Sequence, residues 1–69
     1  MKYTVIIEKG KTSYGAYVPD LPGCVAVAET EDEVTTLIKD AIELHIEMIK
    51  EEGKHIPKRK TKFLELEVA

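Results

Sequence analysis

The chain has 69 residues, a net charge of −3 and a single cysteine. One small domain is the most that this length accommodates, and such domains bury only about 60% of the surface that the unfolded chain exposes. Disulfides, metals and oligomerisation are the usual additional sources of stability. One cysteine excludes an intrachain disulfide, and the spacing of His45 and His55 does not match a zinc site. Oligomerisation is the source of stability that remains.

The negative net charge argues against a general attraction of the chain to nucleic-acid phosphates. No stretch approaches the length of a membrane-spanning helix, and the N-terminus lacks the apolar core and cleavage site of a secretory signal. These features predict a cytoplasmic protein, and a lone cysteine suits a reducing compartment.

Two strands are predicted first, at Lys2–Glu8 and Ser13–Val18, because β-branched and aromatic residues alternate there. A proline corner follows, which we define as residues 17–24, with Pro19, Pro22 and Gly23 in its centre. Proline fixes φ and glycine permits positive φ, so the corner is expected to be rigid for local reasons. Asp20 is expected to close the turn by accepting bonds from nearby backbone N–H groups.

A third strand is predicted at Cys24–Ala28, buried on both sides because all five residues are apolar. Thr30 and Glu33 form a capping box, which predicts a helix from Glu31 to about Glu52 with a glycine stop beyond it. The apolar side chains of this helix span an arc of roughly 200°, wider than the stripe of about 100° that covers one sheet. We expect the apolar helix surface that the sheet does not cover to form an oligomer interface at Leu44, His45, Ile46, Met48 and Ile49. The alternative is that loops or the C-terminal strand of the same chain cover this surface.

Residues 54–62 form a basic linker, for which solvation or pairing with the acidic helix is favoured over nucleic-acid contact. A fourth strand is predicted at Phe63–Val68, with alternate residues facing the core. The predicted fold is therefore a single α+β domain over residues 1–69. Its order is β-β-β-α-β, an antiparallel meander with one long helix packed across the sheet.

The sequence contains no glycine-rich phosphate loop, no metal-ligand cluster and no nucleophile with an evident base. Cys24 begins an apolar strand, which favours a buried, unreactive thiol. We therefore predict no enzymatic activity, no metal and no cofactor, and an interaction module instead.

The run Asp20-Leu21-Pro22-Gly23-Cys24, the helix start at Thr30 and Glu33, and Ile56-Pro57 after the helix resemble the HicB-like family of type II antitoxins. The resemblance covers nearly the whole chain. It implies a partial RNase H-like fold without a nuclease site, and a homo-oligomer, either a dimer or a tetramer. It also implies binding to a HicA-type toxin, an mRNA-cleaving endoribonuclease. Longer members add a C-terminal DNA-binding domain, which is not expected here, so direct DNA binding is not predicted.

The expected toxin-binding residues belong to the proline corner and to the acidic helix start beside it: Asp20, Leu21, Pro22, Gly23, Glu29, Glu31 and Asp32. Their negative charges would face and attract a basic RNA-binding surface on the toxin. An orphan module of the same fold that binds a small molecule or nucleotide is the alternative function.

Overall fold

A computed structural model describes residues 2–68 of the chain. It contains strands β1 (Ile6–Lys9), β2 (Tyr14–Tyr17) and β3 (Val25–Ala28), followed by helix α1 (Glu31–Glu51). The strands pair antiparallel in the order β1-β2-β3. The predicted α+β layout and meander are confirmed for these elements, and each strand is shorter than its predicted span.

Cross-strand pairing places different side chains on the two faces of the sheet. Because the strand period is two residues, every second position faces α1 and the others face away from it. One row of paired residues faces the helix and consists of Ile7, Ala16 and Ala26. The neighbouring row faces away from the helix and consists of Ile6, Tyr17 and Val25.

The core lies between the sheet and α1, which contacts β2 and β3. It comprises six buried apolar residues, namely Ala16, Val18, Leu21, Cys24, Val34 and Ile38. Leu21 and Val34 are completely buried, and burial of one such side chain contributes about 1.5–3 kcal/mol. Leu21 belongs to the proline corner, so the inner side of the corner is part of the core.

Both ends of α1 are capped as the sequence predicts. The Thr30 hydroxyl accepts a hydrogen bond from the Glu33 backbone N–H at 3.1 Å, which satisfies one of the four unpaired donors of the first turn. At the other end Gly53 has a φ of 71°, and the Lys54 N–H donates to the Ile49 carbonyl at 3.1 Å. This is the pattern of a Schellman motif. The predicted end at Glu52 differs from the observed end by one residue.

The prediction that β3 is buried on both sides is wrong. Val25 and Val27 are 64% and 67% exposed, whereas Ala26 and Ala28 pack against the core. The helix covers only one face of the sheet, so an apolar residue on the other face of β3 remains in solvent. An apolar run thus does not by itself show that both faces of a strand are covered.

The predicted fourth strand is not formed, since residues 54–68 contain no helix or strand. The segment Phe63–Val68, which we call the tail, extends from the body of the protein. Its large apolar side chains, Phe63, Leu64, Leu66 and Val68, are 74–84% exposed. A strand forms only where a neighbouring edge supplies its hydrogen bonds, and the three-stranded sheet does not include residues 63–68.

Candidate partner-binding surfaces

Two consecutive hydrogen-bonded turns shape the proline corner. The Leu21 N–H donates to the Val18 carbonyl at 3.1 Å, and the Cys24 N–H donates to the Leu21 carbonyl at 3.1 Å. The second turn has Pro22 and then Gly23 in its centre, and Gly23 has a φ of 85°. Proline followed by a residue of positive φ is the arrangement of a type II turn. The sequence-based prediction of a turn with positive φ at Gly23 is therefore confirmed.

The corner has an inner and an outer surface. Val18, Leu21 and Cys24 point into the core, whereas Pro22 and Gly23 are exposed. Leu21, predicted as a partner-binding residue, is completely buried, so its side chain anchors the corner and is not available to another protein. The tip at Pro22 and Gly23 is therefore an available contact surface.

Asp20 joins the corner to the segment that follows the helix. Its Oδ2 accepts from the backbone N–H groups of Lys60 at 3.1 Å and Thr61 at 3.0 Å, and its Oδ1 accepts from the Thr61 hydroxyl at 3.1 Å. We call this arrangement the Asp20 latch. The expectation that Asp20 closes the turn locally is wrong, because these donors lie 40 and 41 residues further along the chain.

The latch perturbs the ionisation of two groups. Hydrogen bonds from the Thr61 backbone and, after it, from Lys60 and the Thr61 hydroxyl hold the pKa of Asp20 below its usual value, although partial desolvation opposes them. The Tyr3 hydroxyl donates to the Pro57 carbonyl nearby. Burial, together with the negative charge of Asp20, raises the pKa of Tyr3. A further bond runs from the Thr4 hydroxyl to the Thr61 carbonyl at 3.1 Å.

The sheet face opposite α1, which we call the outer face, carries an exposed apolar surface. Tyr17 is 38% exposed, and Val25 and Val27 on the neighbouring strand are more so. Gly15 pairs with Val27 and leaves space beside it, since apart from its chain neighbours no atom of residues 2–68 lies within 4 Å of a Cβ placed there. Because β3 is an edge strand, this surface continues to an unpaired backbone edge.

The outer face was not predicted from the sequence, although a signal was present. β3 alternates valine with alanine, and the small Ala26 and Ala28 face the helix, which packs closely on β3. An alternation of small and large apolar residues distinguishes a strand with one helix-covered face from a strand buried on both sides.

The acidic residues Glu29, Glu31 and Asp32 are all exposed. They follow β3, whereas the proline corner precedes it, so the two groups lie at opposite ends of a strand about 13 Å long. The expectation that they lie beside the corner is wrong. The exposed valines of β3 lie between them.

The residues predicted for an oligomer interface differ in exposure. Leu44 and Met48 are 59% and 51% exposed, and His45, Ile46 and Ile49 are half-buried. The structure thus leaves an apolar helix surface in solvent, and its role as an interface remains a prediction.

Ile46 also borders a groove of about 400 Å³ between α1 and β1, which we call the β1 groove. It exists because α1 packs on β2 and β3 and leaves the helix-facing side of β1 uncovered. Its apolar lining consists of Tyr3, Val5, Ile7, Ile38, Ile42 and Ile46. The groove is open to solvent, since Ile7 is 38% exposed.

Catalytic features are few. Among residues 2–68, no group of three or more His, Cys, Asp or Glu side chains is arranged to hold a metal ion. Cys24 is buried, and burial raises the pKa of its thiol, which disfavours the reactive thiolate. In the same range, no helix is long and apolar enough to cross a membrane.

Relatives of this chain were found by comparison with known proteins. It is 44% identical over 59 residues to a UPF0150 protein of Thermoplasma acidophilum, a match that covers 84% of this chain and 86% of the relative. A UPF0150 protein of Archaeoglobus fulgidus is 42% identical over 59 residues, covering 81% and 86% of the two chains. An uncharacterized protein of Haemophilus phage HP1 is 40% identical over 58 residues, which is 84% of this chain and 44% of the phage protein. No solved structure matches significantly.

The family model described as the HicB-like antitoxin of bacterial toxin–antitoxin systems matches residues 3–67. That match includes the three strands, the proline corner, α1, the Asp20 latch and nearly all of the tail. The chain belongs to the HicB-like antitoxin family.

Proposed function

We propose that this protein is an antitoxin that neutralises a HicA-type, mRNA-cleaving toxin by binding it and masking its active surface. The observation that carries the proposal is the family match over residues 3–67. The protein acts in the cytoplasm, requires no cofactor and catalyses no reaction. Its own contribution is a rigid surface, and direct DNA contact is not part of the mechanism.

The proposed contact surface is the outer face at β3, together with the groups at each end of that strand. Protein interfaces have an apolar centre and a polar rim, and exposed Val25 and Val27 supply such a centre. Pro22 and Gly23 flank it at one end. The acidic residues Glu29, Glu31 and Asp32 flank it at the other, where they attract the basic surface with which a ribonuclease holds RNA.

The proline corner supports this role by fixing the start of β3. Its two turns are closed by backbone hydrogen bonds and its inner side chains are buried, so the surface is pre-organised before a partner arrives. A surface that does not need to be ordered on binding loses less free energy in the complex.

The test is affinity capture of the tagged protein from its host's lysate at low salt, with mass spectrometry of the eluate. We expect a stoichiometric small basic protein that cleaves RNA when purified alone and is inhibited when this protein is added back. A Val25→Lys, Val27→Lys variant is the control for the surface and should not retain that partner. Recovery of only the protein's own oligomer would overturn the proposal.

The β1 groove is the one observation that favours the alternative, an orphan ligand-binding module. Its volume of about 400 Å³ suits a small molecule. Its lining is mostly apolar and it is open along β1, which fits an apolar side chain better than a nucleotide. Thermal-shift screening distinguishes the two, because a ligand that binds the folded state raises the unfolding temperature.

A further inference from the structure

Helix α1 carries an apolar stripe on the flank opposite the β1 groove. Successive residues of a helix are rotated by about 100°, which places Leu37, Leu44 and Met48 in one narrow band. We call this band the helix stripe, and all three of its side chains are exposed. Lys39 and Ile46, which line the β1 groove, project from the other flank. The helix stripe is therefore separate from the groove.

The spacing of the helix stripe matches the contact line of a helix pair. Half-buried Ala41 lies between Leu37 and Leu44 on the same side of α1, so successive members are four, three and four residues apart. Such intervals are those of the a and d positions in a heptad pattern. From Leu37 to Met48 the stripe extends about 16 Å, or three turns. A partner helix of three turns therefore finds a complete line of contacts.

Charge is distributed unequally between the two flanks of α1. The solvent border of the helix stripe is a row of exposed acids, namely Glu33, Asp40, Glu47 and Glu51. The two lysines of the helix, Lys39 and Lys50, project toward the groove flank instead. Within residues 2–68 no salt bridge involves any of the four acids. The helix stripe thus presents an apolar line beside a row of unpaired negative charges.

Neither a second copy nor the tail of the same chain suits this charge pattern. When two copies pair their helices antiparallel about a twofold axis, the same border of each helix meets its counterpart, and juxtaposed like charges cost free energy. The tail alternates its apolar residues with Glu65 and Glu67, so it also brings negative charge. In addition, the segment before the tail contacts Tyr3, which lines the β1 groove, through Pro57.

We propose that the helix stripe binds an amphipathic helix of a second protein, one with leucine-sized side chains along one face and Lys or Arg beside them. Docking of an amphipathic helix through its apolar face is a recurring mode of recognition, and the acidic border selects a basic partner. The helix stripe is on α1, whereas the outer face is on the opposite side of the sheet. The site therefore goes beyond the proposed toxin contact and does not depend on it.

Fluorescence anisotropy with a synthetic peptide tests the site directly. The labelled probe is an amphipathic helix of three heptads, with Leu at positions a and d and Arg at positions e and g. The control peptide has Glu in place of each Arg. We expect the full chain to bind the Arg peptide roughly tenfold more tightly than the Glu peptide, with a difference that shrinks at high salt. Equal affinity for the two peptides would overturn the proposal.

Charge reversal tests whether the acidic border is the cause of this preference. Asp40→Lys with Glu47→Lys should make the Glu peptide the tighter ligand. Glu8→Lys with Glu43→Lys makes the same change in net charge away from the border, since Glu8 is in β1 and Glu43 lines the β1 groove. This control should keep the preference for the Arg peptide. If both variants change the preference alike, net charge is the cause and the proposal is wrong.

The apolar contacts have a test of their own. Leu44→Asp with Met48→Asp should abolish binding of the Arg peptide even though it adds negative charge, whereas Val25→Ser with Val27→Ser on the outer face should leave binding unchanged. If light scattering shows that the Leu44→Asp, Met48→Asp variant converts a dimer into a monomer, a second copy occupies the stripe and the proposal fails. Purified protein and a synthetic probe are used throughout, so the result is independent of any toxin.

Discussion

Asp20 and Thr61 are 41 residues apart in the sequence, yet two hydrogen bonds join them, from the Thr61 backbone N–H at 3.0 Å and from its hydroxyl at 3.1 Å. One carboxylate therefore connects the loop between β2 and β3 to the segment after the helix. The first prediction concerns this contact. Asp20→Asn removes the negative charge and one acceptor oxygen, so the amides of Lys60 and Thr61 should lose protection in hydrogen exchange. Glu29→Gln, a neutralised carboxylate at the start of the helix, should leave them unchanged.

The pH dependence of the latch follows from the lowered pKa of Asp20. A carboxyl group whose pKa is lower in the folded state contributes stability that is complete above its unfolded pKa, about 3.9 for Asp. That contribution is lost as the pH falls through the folded pKa. The protection factor of the Thr61 amide, which compares its exchange with the intrinsic rate at the same pH, should therefore fall on acidification below about pH 4. The transition should be absent in Asp20→Asn, and an unaltered profile in that variant would contradict the assignment.

Gly23 and Gly15 offer a matched pair of glycine substitutions. No atom lies within 4 Å of a Cβ placed at either residue, but Gly23 has a φ of 85° and Gly15 is not at positive φ. Gly23→Ala should lower the free energy of unfolding by about 1–2 kcal/mol through backbone strain alone. Gly15→Ala in β2 should raise it by about 0.5–1 kcal/mol. Chemical denaturation measures both, and equal effects would show that strain at the corner is not the cause.

Substitutions at exposed apolar residues should change partner binding, whereas substitutions at buried apolar residues should change stability. Val25→Lys with Val27→Lys changes only the outer face, so the captured partner should be lost while the unfolding midpoint changes little. Ile38→Ala in the core should lower the free energy of unfolding by about 2–5 kcal/mol. Calorimetry and affinity capture on the same preparations test the pair, and retention of the partner by the valine variant would exclude the outer face as its site.

The acidic end of the proposed surface predicts a salt dependence. Replacing Glu29, Glu31 and Asp32 by Lys should weaken partner binding, and the difference from the unmodified protein should shrink as ionic strength rises because exposed charges are screened. A triple Lys variant at Asp40, Glu47 and Glu51 matches the charge change on another part of α1. Titration calorimetry at low and high salt should show the larger loss for the first variant.

The three strands, the helix and its caps are predictable from the sequence because each has a local cause. The Thr30 cap and the Gly53 stop depend on residues within five positions of one another. The partner of Asp20 lies forty residues away, and no local pattern specifies it. The hydrogen bond between Thr4 and Thr61 likewise joins residues 57 positions apart. Contacts between distant segments are thus what the sequence alone did not reveal.

The two faces of strand β3 differ in what they contact. Ala26 and Ala28 must stay small for the helix to lie close to the sheet, whereas Val25 and Val27 contact solvent. A mutation at either valine alters what the protein presents to others and leaves the folding core intact. If the outer face is the contact surface that we propose, single substitutions at these two positions would change partner choice while the core side chains keep their packing.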